Sequence, residues 1–395
     1  MNADFVVIGG GVIGIAIARE LKSRHGDCSV LVLEKEAEVG RHASGRNSGV
    51  LHAGFYYTAD SLKARFCRDG SLAMRQFCAE RGLPINACGK LVVARDAGEL
   101  ERLDELRRRA DVNGVEVEMV SADVAREIEP RARTCERALF SPTTATVDPG
   151  VVMAALRADC EAAGVLIRTG VAYRGRKDDV IITDAGPVGA GVVVNAAGLY
   201  ADRIARDFGF SQNYRILPFK GLYLYSSEPA YTFRTNIYPV PDLQNPFLGV
   251  HVTVTVGGKA KLGPTAIPCF WREHYGGLGN FHADEFLEVV GMEAKLFLRA
   301  GFDFRGLAAR ELRKYRRATL VSQASELAEG IDSRNFRQWG RPGIRAQLLN
   351  LKARTLVMDF LIEGDGKSLH VLNAVSPAFT CAIPFAAHVC DQIRG

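Results

Sequence analysis

Phe5-Val-Val-Ile-Gly9-Gly-Gly11-Val-Ile-Gly14 opens the chain, and Val30-Leu-Val-Leu-Glu34 follows it one helix length later. Apolar residues Phe5 to Ile8 read as a strand, Val12 to Leu21 as a helix leaving the glycines, and Ser29 to Leu33 as a second strand. That order is a βαβ unit, which implies a parallel sheet. Gly9 permits the tight turn, Gly11 lets backbone approach a pyrophosphate, and Gly14 allows close helix–strand packing. The helix N-terminus offers free N–H groups to the phosphates. Glu34 lies 20 residues after Gly14, where a carboxylate accepts hydrogen bonds from ribose hydroxyls. An acid there argues against a 2′-phosphate and hence NADP; FAD and NAD both remain open.

Working outward, a loop rich in Gly, Ser, His and Arg spans Gly40 to Tyr57, and a helix Ser61 to Arg81. The texture then changes: a strand at Lys90 to Ala94, a charged helix at Gly98 to Ala110 and a strand near Val115 to Val120. The α/β style returns with a helix at Pro149 to Ala163, a strand at Val165 to Thr169 and the strand Gly191 to Asn195 running to Gly198. Alternating segments from Tyr214 to Thr265, among them Leu222 to Tyr225 and Phe247 to Val256, predict an antiparallel sheet. A charged helical stretch covers Ala283 to Glu326, and Gly343 to Gly395 reads strand, strand, then a helix beginning near Pro384. The expectation is an α/β protein: a Rossmann-like dinucleotide-binding domain with an interleaved α+β substrate domain containing a mostly antiparallel sheet. The binding domain comes from residues 1–82, 145–213 and 339–395, and the substrate domain from 83–144 and 214–338.

Composition narrows the function classes. With 47% hydrophobic residues in 395, wholesale disorder is excluded. Fifty Lys and Arg against 45 Asp and Glu give only +5, too mild and too dispersed for nucleic-acid binding. Nine scattered cysteines with no C-x-x-C pair argue against a disulfide framework and a zinc site. No metal is expected. No run of 18 apolar residues predicts a spanning helix. The expected location is cytoplasmic, with peripheral contact at the inner face of the membrane left open.

His42-Ala-Ser-Gly-Arg-Asn-Ser-Gly-Val-Leu-His-Ala-Gly-Phe-Tyr-Tyr57 resembles the flavin-proximal loop of the L-2-hydroxyglutarate dehydrogenase/oxidase family, within the D-amino-acid-oxidase-like flavoproteins. The resemblance continues in Ser61-Leu-Lys-Ala-Arg-Phe-Cys67, Asn86-Ala-Cys-Gly-Lys-Leu-Val-Val93 and Pro218-Phe-Lys-Gly221. It extends through Tyr238-Pro-Val-Pro-Asp242, Pro246-Phe-Leu-Gly-Val-His-Val-Thr253 and Gly263-Pro-Thr-Ala266 to Gly343-Ile-Arg-Ala-Gln347 and Asn373 to Pro384. Val192-Val-Val-Asn-Ala-Ala-Gly198 is similar to the second nucleotide-contacting turn of FAD oxidoreductases. The resemblance implies FAD and oxidation of a small 2-hydroxy acid or dicarboxylate, foremost L-2-hydroxyglutarate to 2-oxoglutarate. Hydride would leave C2 for flavin N5, with oxygen or a quinone as final acceptor. Two positions depart from the family pattern: Lys220 and Val254 stand where members often carry Arg. An amine or amino-acid oxidase, or a redox-silent flavin-binding protein, are the alternatives on the same scaffold.

His52, in that loop, and His251, in an alternating strand, are the candidates to take the hydroxyl proton, since an imidazole suits proton transfer near neutral pH. Lys220 and Arg345 are candidate carboxylate partners. Tyr56 and Tyr57 are candidate hydroxyl donors at the substrate. Arg41, Ser44, Arg46, Asn47, Ser48 and Gly49 form a loop too polar for core and suited to pyrophosphate and flavin contacts. Gly198 and Gly343 join this cofactor set. Ser376, Pro377, Ala378 and Thr380 sit at a turn whose N–H groups can stabilise charge on a reduced flavin.

Overall fold

The computed structural model describes residues 1–242, 247 and 249–393. Strand Asn2–Ile8 lies at the centre of an eight-stranded sheet, paired in parallel with Val30–Glu34 on one side and Gly186–Asn195 on the other. Leu166–Thr169 extends it in parallel beyond Val30–Glu34, and Ser368–Asn373 pairs with Gly186–Asn195. The first two turns of helix Val12–Arg24 are apolar all round because they are covered on all sides, Val12, Ile13, Ile15, Ala16 and Ile17 all being buried, while its second half is charged and partly exposed. Its first turn lacks a capping side chain of its own; Ser44 Oγ, from the following loop, accepts from Val12 N at 2.8 Å. A hairpin, Tyr173–Lys177 with Val180–Thr183, widens this sheet where the sequence predicts nothing, both strands being short and the first highly charged.

The second large sheet has eight strands, all paired antiparallel except Lys90–Val93 beside Asn236–Pro239. The strand expected over Phe247 to Val256 shortens to His251–Val254; Pro246 and Leu248 lie outside the described residues. The stretch Ala283 to Glu326 divides into helices Ala283–Arg299, Phe304–Leu312 and Arg317–Ser325, the second capped by Asp303, whose carboxylate accepts from Gly306 N at 2.8 Å.

Two further differences bear on the site. Gly343–Asn350, expected with the dinucleotide-binding part, pairs residue for residue with Tyr214–Gly221 in a four-stranded sheet. The last helix starts at Ala378, not near Pro384, which lies inside it. Pro384 has no N–H to give the carbonyl of Thr380. Helix Leu62–Glu80 comes against that carbonyl at Gly70, where a Cβ would stand 2.3 Å from the Thr380 oxygen.

Candidate active site

A cavity of about 1550 Å³ opens beside the carboxyl end of strand Asn2–Ile8, where α/β sheets bind ligands. Gly9 is held at φ +112°, and a Cβ on it would meet the Ala196 carbonyl oxygen at 2.6 Å. A Cβ on Gly14 would lie 1.9 Å from the Gly9 oxygen, so both positions exclude a side chain. Glu34 Oε2 accepts from Gly10 N at 2.7 Å and Oε1 from Glu36 N at 2.8 Å. Each carboxylate oxygen keeps a lone pair for a ribose hydroxyl. Gly11, Glu34, Ser44, Arg46, Asn47 and Ser48 line this end of the cavity. Gly198, Gly343 and the run Ser376, Pro377, Ala378 and Thr380 line it farther along, the run at the N-terminus of the last helix. Ordinary ligand pockets hold roughly 300–1,000 Å³. The larger volume, the bare glycine turn and the acid at Glu34 together fit FAD with room for a second small molecule.

The other end is built from the loop after Val50–Leu51 and from two sheets. His52 is pinned through its backbone: its N–H donates to Thr380 Oγ1 at 3.2 Å, and Cys67 Sγ donates to its carbonyl at 3.2 Å. Burial, then the charges of Lys90 and Arg345, push its imidazole down to about 3. His251 faces the cavity from strand His251–Val254, with Nδ1 3.1 Å from Thr253 Oγ1; in the tautomer whose Nδ1–H donates to that hydroxyl, Nε2 is the proton-accepting nitrogen. Burial, reinforced by His52, Lys90, Lys261 and Arg345, holds it well below the usual imidazole range. Tyr238 stacks on it, ring centroids 3.7 Å apart.

Arg345 reaches the cavity wall with its guanidinium over the Phe247 ring at 4.9 Å, its pKa lowered by burial. Lys63 lines the same wall and is pushed down to about 8, chiefly by burial and then by Arg345. Asp359, the acid whose charge acts on Lys63, accepts from the backbone N–H groups of Leu62 and Lys63. Among the described residues neither Arg345 nor Lys63 is in an ion pair. Such cations are stable in a buried wall only when an anion joins them.

Tyr56 and Tyr57 also line the cavity, Tyr56 with its hydroxyl buried and unpartnered. Lys220 does not. Phe219, not Lys220, is the cross-strand partner of Arg345, so Lys220 projects from the opposite face, toward Tyr315 Oη at 3.4 Å. Of the two cations expected to hold the substrate's carboxylates, the structure thus brings Arg345 to the cavity and not Lys220, and Lys63 is the other cation on that wall. Arg41 is exposed and pairs with Glu38 at 3.2 Å, away from the cavity. Gly49 shapes the loop from behind, at φ +75° with a Cβ position 2.3 Å from the Val147 oxygen. The sequence reading passed over Lys63, Lys90 and Tyr238, although all three lie within motifs it quoted. Glu36, His42 and Glu273 converge within 4.8 Å, and the Lys35 ammonium pairs with both carboxylates. Among the described residues no helix is long and apolar enough to cross a membrane.

A family model described as FAD dependent oxidoreductase matches residues 4–392. The chain is 35% identical over 403 residues to L-2-hydroxyglutarate dehydrogenase of Escherichia coli K12, covering 99% of this chain and 93% of that protein. It is 34% identical over 415 residues to the mitochondrial L-2-hydroxyglutarate dehydrogenase of Homo sapiens, covering 99% and 88%. Among solved structures, FAD-bound L-alpha-glycerophosphate oxidase from Mycoplasma pneumoniae superposes with TM-score 0.78 at 20% identity, covering 100% and 95%. Glycine oxidase from Geobacillus kaustophilus gives TM-score 0.73 at 20% identity, covering 99% and 94%.

Proposed function

The chain belongs to the FAD-dependent oxidoreductase family, and from that premise we propose that it oxidises L-2-hydroxyglutarate to 2-oxoglutarate. The observation that carries the substrate is the cationic wall: Arg345 and Lys63, both desolvated and neither ion-paired, beside two neutral histidines. A dicarboxylate supplies the two negative charges that this wall lacks. The relatives named L-2-hydroxyglutarate dehydrogenase support the same choice.

FAD, when bound, supplies a two-electron acceptor for the hydride leaving C2. Arg345 holds one carboxylate of the substrate in its two-pronged grip and Lys63 attracts the other. The Thr253 hydroxyl fixes the His251 ring so that Nε2 takes the hydroxyl proton. His52 is the second imidazole within the site. The enclosing tyrosines and Phe247 keep water away from these charges.

The test is an anaerobic absorbance titration of the purified holoenzyme with L-2-hydroxyglutarate, its D-isomer, lactate, malate and several amino acids. Bleaching by the L-isomer alone is the expected result. Bleaching only by amino acids overturns the substrate, and no bleaching by any of them overturns the catalytic role. Admitting air or a quinone afterwards identifies the final acceptor.

A further inference from the structure

Four buried polar atoms in the cavity wall and just behind it have no hydrogen-bond partner among the described residues: His52 Nδ1, Tyr56 Oη, Tyr238 Oη and Lys90 Nζ. Buried polar groups are satisfied in the great majority of cases, so such a cluster calls for a reason. Lys90 is the most extreme member, fully enclosed at the start of strand Lys90–Val93. The register explains where it points. Lys90 pairs with Asn236, and Ile237 pairs with Val252, so Lys90, Tyr238 and His251 share one face of the sheet.

On that face, among the described residues, the partners of the Lys90 ammonium are aromatic rings. Nζ lies 4.4 Å from the Phe55 ring centroid, 4.5 Å from Tyr56 and 5.1 Å from Tyr238. The Tyr238 ring also stacks on His251 at 3.7 Å, with the planes 12° apart. One tyrosine thus serves both the ammonium and the imidazole. A protonated His251 would set a second cation against the ring that already holds the first.

We propose that Lys90 is a positioning residue for the oxidation put forward above: by filling the Phe55–Tyr56–Tyr238 cage as a cation, it keeps His251 in its neutral, proton-accepting form. Burial lowers Lys90 to about 7. The charge is therefore in place as pH falls below that value, the range in which a free imidazole starts to protonate. Burial is the largest influence on His251, and Lys90 adds to it; the other groups acting on His251 are His52 from the loop, Lys261 from the neighbouring strand and Arg345 from the four-stranded sheet, all pushing the same way. Lys90 alone among them shares an aromatic ring with it. Removing Lys90 leaves Lys261 and Arg345 in place, so a partial shift is expected, on the order of tenfold in the protonated fraction.

The experiment uses the FAD-loaded protein with ¹⁵N-labelled histidines, His251 being assigned by its loss in His251→Gln. Protonation is followed by NMR without substrate, and the acidic limb of kcat/KM is measured separately. In Lys90→Met, with flavin content and thermal midpoint retained, the His251 transition is expected to move up by about one pH unit; in Lys90→Arg it stays. Lys90→Gln replaces Lys90→Met if the latter does not fold. An unmoved transition in the neutral variant, or a moved one in Lys90→Arg, overturns the proposal. The NMR arm needs no substrate, so a wrong substrate would show in the titration above and leave this result standing.

Discussion

Lys220 and Arg345 stand one register step apart on paired strands and face opposite sides of their sheet, because Arg345 lies directly across from Phe219. Only one of them can therefore meet the substrate. Arg345→Ala is expected to lower kcat/KM for L-2-hydroxyglutarate by about 1.5–3 kcal/mol, ~10- to 150-fold, with most of the effect in KM. Lys220→Gln is expected to change it by less than about threefold, since its side chain leaves the sheet on the face away from the cavity. Steady-state kinetics on the two variants decide it; equal losses would return Lys220 to the site.

The two histidines differ in how their rings are held. His251 has Nδ1 tied to Thr253, whereas His52 Nδ1 has no partner. His251→Gln is expected to lower kcat by about 10²–10⁴, the range for loss of a general base, and to abolish the acidic limb of the pH profile. His52→Gln is expected to cost less and to preserve that limb. The reverse ranking would make His52 the proton acceptor.

The parts of this fold written locally were legible in the sequence. A glycine turn between two apolar strands specifies its own geometry, and Gly9, Gly11, Gly14 and Glu34 sit where the fingerprint predicts. The rest depends on which strand lies beside which. Lys220 in Pro218-Phe-Lys-Gly221 carries no local mark of the face it takes; the register with Gly343–Asn350 decides that. Lys90 opens a four-residue apolar strand, and its cage comes from Phe55 and Tyr56 on one side of it in sequence and Tyr238 far on the other. The helix expected to begin near Pro384 begins six residues earlier, at Ala378. The packing of the last helix on Gly70 tolerates that proline inside the second turn.

Buried neutral histidines make stability fall with acid. His52 has its proton affinity lowered from the usual 6.5 to about 3, and His251 is shifted in the same direction. Below pH about 6.5 the unfolded chain binds protons that the folded one refuses, so unfolding free energy falls as pH drops toward about 3. Each histidine accounts for up to about 1.4 kcal/mol per pH unit inside that window. Urea midpoints from pH 7 down to about 5 are expected to fall, and His52→Gln to flatten the slope. A slope unchanged in the variant would remove His52 as a source.

The glycine turn gives the sharpest contrast between neighbouring substitutions. A Cβ at Gly14 would stand 1.9 Å from the Gly9 carbonyl oxygen, a backbone atom that cannot step aside without opening the turn. Gly26, past the end of the same helix, has nothing within 4 Å of the corresponding position. Gly14→Ala is expected to be purified with less than about a tenth of the wild-type flavin, because the helix N-terminus no longer meets the pyrophosphate at hydrogen-bonding distance. Gly26→Ala is expected to keep it. The 450-nm absorbance per protein, together with far-ultraviolet circular dichroism, separates lost flavin from lost fold: a folded Gly14→Ala protein with full flavin would mean that this turn does not cradle the cofactor.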